Sequence, residues 1–253
     1  RPGQIAHQRD FYRIEVADVD PNLFEKTFGA FEGRVAEVIR NLEVSQQPPD
    51  GDAFSDLMFF IALMAVRVPR RRAHMSRHID EMAKTMMRMT VATSERWEAT
   101  RRRMRADGVT GPAKMSYEEA KALFESGDFS VDYPRTWHVG VLYDSAKTIF
   151  PYLADRRWTF LVADDEAGDF ICSDYPVGLV WSSGETTGFF PPGFAVSETE
   201  VSMPLTRRRA MLGRFEGEGG VYRATRTTVA AINSRTGMSA QQLYSAKADF
   251  VPI

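Results

Sequence analysis

The sequence predicts an α+β fold: a helical half over about residues 1–155 packed on a small, mostly antiparallel sheet within about 156–253, with a late helix. Apolar residues of the first half recur at three- and four-residue spacing, whereas the second half breaks into short β-rich runs between turn signals. Helices first and strands later is an α+β order. With 253 residues, 43% hydrophobic and 26% charged, the composition is that of a globular protein able to close a single domain over 1–253.

Asp20-Pro21 is a helix start, a capping residue followed by proline at the first helical position. Phe24, Phe28, Phe31, Val35, Val38, Ile39 and Leu42 follow at helical spacing, and Pro48-Pro49-Asp50-Gly51 stops them. A second helix, about Phe54–Val66, is apolar nearly all round and belongs in the middle of a core. A helical pattern then runs from Pro69 to about Ala106, roughly 55 Å if unbroken. Its Met75, Ile79, Met82, Met86 and Met89 step by four and three. That is either a core-facing stripe of adaptable side chains or a dimer seam. Asp107-Gly108 and Gly111-Pro112 end it. Tyr117–Ser126, with Ser116 as cap, and about Pro134–Ala154, kinked or ended at Pro151, complete the helices.

In the second half, Trp158–Ala163 and Asp169–Cys172, separated by Asp164-Asp165-Glu166-Ala167-Gly168, read as a hairpin. Gly184–Gly193 reads as a loop. Glu200–Leu205 and Ala210–Phe215 read as strands turning at Thr206–Arg209. Tyr222–Ala246 has helical spacing broken near Gly237, and Ala248–Ile253 is a last edge strand.

No segment reaches the roughly 18 uninterrupted apolar residues of a membrane span, so no membrane partner is expected. The opening Arg1-Pro-Gly-Gln has neither an initiator Met nor a signal-peptide pattern and reads as the cut edge of a longer protein. One cysteine excludes an internal disulfide and a multi-cysteine zinc site, and fits a reducing, cytoplasmic setting. The net charge of −2 is uneven: Pro69–Arg105 holds eleven Lys/Arg against Asp80, Glu81, Glu95 and Glu98. Helix 69–106 is then either a surface for nucleic acid or an acidic partner, or a solvated face.

Phe170-Ile-Cys-Ser-Asp-Tyr-Pro-Val177 resembles the Phe-Ile-Thr-Ser-Asp-Asn-Pro-Val signature of a bacterial family known as domain of unknown function 4238. Other pieces fall in that family's order. They are the Phe-Tyr element in Gln8–Tyr12, Glu25 and Glu32 in Phe24–Gly33, the apolar helix end Ile61–Pro69, Met203–Thr206 and Ala231–Asn233. The resemblance covers most of the chain and implies a shared fold, without supplying a reaction. The chain departs from it by beginning downstream of the family's His-His-x-x-Pro segment, and by carrying Cys172 and Tyr175 where Thr and Asn are usual.

The residues that would carry chemistry are polar groups set in apolar runs. Glu32 sits on or beside the apolar stripe of its helix, where a carboxylate needs a partner. Arg67 is the natural one, as a structural pair or as a site pair, and Glu25 lies on the same face. Asp174, with Ser173 orienting it, ends a strand before Tyr175-Pro176. It is a metal ligand or general base, or else the centre of an Asx-type turn. Asn233 would bond a site group or cap a backbone. Cys172 reads as a small buried hydrophobe more readily than as a nucleophile. His74 and His78 have the spacing of a two-histidine metal site, but Arg71, Arg72 and Arg77 crowd them.

Two functions are consistent with this pattern. In one, Glu32, Arg67, Ser173, Asp174 and Asn233 form the active site of a hydrolase-like enzyme. Asp174, Glu25 and Glu32 would hold a divalent metal, and a phosphodiester or other anionic substrate would be cleaved. In the other, the protein is a non-catalytic interaction module whose basic, Met-striped helix 69–106 binds a partner, nucleic acid or a second copy as a homodimer.

Overall fold

The computed structural model describes residues 23–45, 47–67, 69–131, 135–184, 190–238 and 240–245, without the side chains of 69–78, 112 and 135. In chain order the helices are α1 (Leu23–Ser45), α2 (Gly51–Val66), α3 (Pro69–Thr90), α4 (Ser94–Ala106), α5 (Tyr117–Ser126), α6 (Arg135–Ala154) and α7 (Arg226–Met238). The strands are β1 (Arg157–Val162), β2 (Cys172–Ser173), β3 (Gly178–Trp181), β4 (Thr199–Thr206), β5 (Arg209–Arg214), β6 (Gly220–Arg223) and β7 (Leu243–Tyr244). The chain divides into two compact units, one made of Arg1–Val68 with Arg135–Ile253, the other of the intervening Pro69–Pro134.

The first unit is built on a five-stranded sheet of order β3-β4-β5-β1-β6, antiparallel except where β1 meets β6. Strand periodicity sorts its two faces. Trp158, Phe160, Val201, Met203 and Met211 point into a core shared with α1, α2 and α6, whereas Leu161, Ala210 and Leu212 pack with Val229 and Ile232 of α7. α2 is the central helix its composition predicts: Leu57, Met58, Ile61, Ala62, Leu63 and Ala65 are all buried. Emptying such a site, as in Ile61→Ala, costs about 2–5 kcal/mol. Two glycines make room on the sheet. A Cβ at Gly213 would lie 2.9 Å from the Trp158 ring, and one at Gly178 would lie 3.1 Å from Cβ of Arg235 on α7.

The second unit has its own core of Val91, Trp97, Ala120 and Phe124, with Met87 and Met104 against it. α5 starts in a capping box in which Ser116 Oγ accepts from the Glu119 amide and the Glu119 carboxylate accepts from the Ser116 amide. No helix among the described residues is long and apolar enough to cross a membrane.

Four expectations are corrected. The helix over 69–106 breaks at Val91–Thr93, because Thr93 Oγ1 caps α4 at the Arg96 amide and buried Val91 and Trp97 close one core across the bend. Trp158–Ala163 and Asp169–Cys172 are not a hairpin. β1 lies between β5 and β6, and Cys172–Ser173 pairs with Leu243–Tyr244 in a separate two-stranded sheet. The intervening loop is tied down instead by Asp164, whose carboxylate accepts from the Glu166 and Ala167 amides and pairs with Arg223. The late helix begins only at Arg226, since Tyr222 pairs with Leu161 and Thr225 Oγ1 accepts from the Thr228 amide. Finally, Met82, Met86 and Met89 do not face a core: they are 46%, 60% and 61% exposed, because α3 turns Met87 inward instead. The cap at Asp20-Pro21 and the strand Ala248–Ile253 lie outside the described residues, as do the side chains of His74, Met75 and His78.

Candidate functional site

The residues expected to form one site fall into two groups with separate partners. At the junction of α1 and α2, Arg67 Nη1 donates to Glu32 Oε1 at 3.0 Å, and the guanidinium lies over the Phe28 ring, 5.4 Å from its centre. The pair forms as the spacing suggests but is partly open to water, so it stabilises by no more than about 1 kcal/mol. Glu25, two turns away along α1, is exposed.

The second group surrounds the signature strand. Asn233 of α7 is buried, and its side-chain amide brackets the incoming chain. Oδ1 accepts from the Ile171 amide at 3.0 Å, and Nδ2 donates to the Asp169 carbonyl at 3.0 Å. Ser173, buried on β2, accepts through Oγ from the Tyr175 amide at 3.1 Å. Asp174 Oδ1 accepts from the amides of Gln241 and Gln242 at 2.9 and 3.1 Å, while its own amide donates to the Gln242 carbonyl. These bonds fasten the segment after α7 to the signature; they reach across the chain, so Asp174 is not the centre of a local Asx-type turn, and the local turn bond is the one Ser173 accepts from the Tyr175 amide. Cys172 reaches the surface, yet the protein around its sulfur desolvates the thiolate and pushes its pKa up, the reverse of nucleophile activation. Among the described residues no group of three or more His, Cys, Asp or Glu side chains is placed to hold a metal ion, so Glu25, Glu32 and Asp174 are not gathered into one.

The basic segment divides by use. Arg88 donates to the Phe124 carbonyl, and Arg101 and Arg105 both donate to the Ala113 carbonyl. Lys84 pairs with Asp80, and Arg101 also pairs with Glu98. These cations close the helical unit on itself. Arg96, Arg102 and Arg103 are exposed on α4.

Sequence reasoning missed a third constellation. Glu200 on β4 is only 4% exposed. Its Oε1 accepts from Arg214 Nε at 2.6 Å and its Oε2 from Arg235 Nη2 at 2.7 Å. Beside it, buried Arg156 donates to the carbonyls of Thr199, Gly213 and Phe194 and lies 4.2 Å from the Phe215 ring centre. Burial pulls its pKa down to about 10, still protonated at neutral pH. Glu200 and Ser202 alternate with apolar neighbours and so read as a solvent face. The signal against that reading was Arg235 on the apolar late helix, a cation needing a partner.

A family match described as "Protein of unknown function (DUF4238)" spans residues 1–248. No curated protein and no solved structure matches the chain. The chain belongs to this family of unknown function.

Proposed function

We propose that this family member works as a binding module, and that the inserted helical unit carries the binding. The supporting observation is the outward row Met82, Met86 and Met89 on α3, spaced four and three apart. Such i, i+4, i+7 rows seat a partner helix, and methionine adapts to one. The surrounding charge selects the partner. Residues 69–105 hold eleven basic residues against four acidic ones, so a second copy would bring like charge, whereas an acidic amphipathic helix of another protein brings opposite charge. The exposed Arg96, Arg102 and Arg103 would steer it. A reducing, cytoplasmic setting, in keeping with the lone Cys172, is part of the same reading. The hydrolase reading has less support, because Asn233, Ser173 and Asp174 Oδ1 are engaged with backbone.

The test is fluorescence anisotropy with a labelled helix bearing Leu on one face and Glu on the other. It should bind, weaken as salt rises, and weaken tenfold or more with Met86→Glu or with Arg102→Glu and Arg103→Glu together. The matching Leu/Lys helix should not bind. Failure of the acidic helix, tighter binding of double-stranded DNA, or concentration-dependent self-association abolished by Met86→Glu would each overturn the proposal.

A further inference from the structure

The ends of β3, β4 and β5 border an open cleft of about 570 Å³, within the range of small-molecule sites. Strand register builds it: Trp181 pairs with Thr199, and Val201 with Gly213, which brings segments 181–183, 197–200 and 214–216 to one edge. We propose that this cleft is a carbohydrate-binding site for a neutral saccharide.

Three observations lead there. First, the cleft has two half-buried aromatics, Trp181 and Phe215. Phe215 is backed by the Arg156 guanidinium, which is itself held by three carbonyls. Rigid aromatic walls offer the flat apolar surface against which the C–H face of a sugar ring packs. Second, Arg214 lines it as a donor. Arg214 is about half exposed, and only its Nε is engaged by buried Glu200, which Arg235 holds from behind. Its place on the wall of the cleft is therefore set by a supporting layer, the construction that binding sites need. Third, Glu198 and Glu216 also line the cleft, are exposed, and make no ion pair among the described residues.

This charge pattern discriminates among ligands. A phosphate or carboxylate would meet Arg214 but also two carboxylates, and like-charge juxtaposition is costly. A simple cation would meet the carboxylates but also the guanidinium. A sugar hydroxyl donates and accepts at once, so vicinal hydroxyls match Arg214 and the carboxylates together. The reading does not depend on the helical unit and stands or falls separately.

The test uses the intact chain with chitotriose, cellotriose and maltotriose, followed by saturation-transfer NMR and tryptophan fluorescence. At least one should bind saturably. Trp181→Ala should weaken that sugar tenfold or more, and Glu216→Gln at an exposed position should weaken it threefold or more with the melting temperature unchanged. If Trp181→Ala does not fold, the Glu216→Gln result decides. No binding by any of the three, binding untouched by Glu216→Gln, or displacement of the sugar by inorganic phosphate or spermidine would overturn the proposal.

Discussion

Around Phe170–Val177 the polar side chains are turned onto the protein's own backbone, whereas on α3 three apolar side chains are turned away from it. Asn233, Ser173 and Asp174 together engage five backbone groups of the signature and of the segment after α7. Met82, Met86 and Met89 are covered by no core of their unit. The difference is what the proposed binding role rests on. A polar group with its hydrogen bonds made inside is a fastener, and an apolar group left in water is available for a partner.

That contrast can be broken by substitution, starting where the effect is largest. Asn233→Ala strands the Ile171 amide and the Asp169 carbonyl in the interior, and is expected to cost roughly 2–4 kcal/mol in urea unfolding, since each unsatisfied buried group costs about 1–3 kcal/mol. A catalytic role would instead leave stability near wild type. Asp174→Ala removes two bonds at a half-exposed position, with an expected cost of about 1–2 kcal/mol. Its local signature would be faster hydrogen exchange at the Gln241 and Gln242 amides. Thr93→Ala removes the α4 cap and should cost about 1 kcal/mol, confined to the helical unit. Met86→Gln, at the other extreme, should change stability by no more than about 0.5 kcal/mol, as expected of a surface position.

Acid sharpens the contrast between the two units. Asp80 is held below its ordinary value of 3.8, first by the Val131 amide and then by Lys84. Asp164 is held low first by the Ala167 amide, with Arg223 adding to it. Each carboxylate binds its proton less tightly folded than unfolded. Its contribution is therefore complete above its unfolded pKa of about 4 and is lost as pH falls through the lower folded value. Glu95 and Glu119 of the helical unit are held low in the same way, by their own helix-start bonds, so Asp80→Asn should reduce the acid-dependent loss at amides around Val131 and leave it unchanged in the sheet unit.

Much of the fold was legible because local physics set it. The apolar stripe of α1, the all-apolar α2, the Ser116 cap and the β4–β5 turn each depend on neighbours in sequence. The break at Val91–Thr93 was hidden because helical spacing continues through it and only a short cap interrupts it. The hairpin expectation failed because β1 found distant strands, a choice made by sheet assembly rather than by the turn. The Glu32–Arg67 pair was readable from one carboxylate on an apolar stripe and one cation ending an apolar helix. The Glu200 cleft was not, because its walls come from three strand ends that only register brings together.

The account rests most directly on where a partner touches the protein, and methyl NMR of the twelve methionines reads this. On titration with the Leu/Glu helix, the signals of Met82, Met86 and Met89 should shift together and saturate, while those of buried Met58, Met203 and Met211 stay in place. Saturable shifts confined to the buried methionines, or no shift at α3, would contradict it.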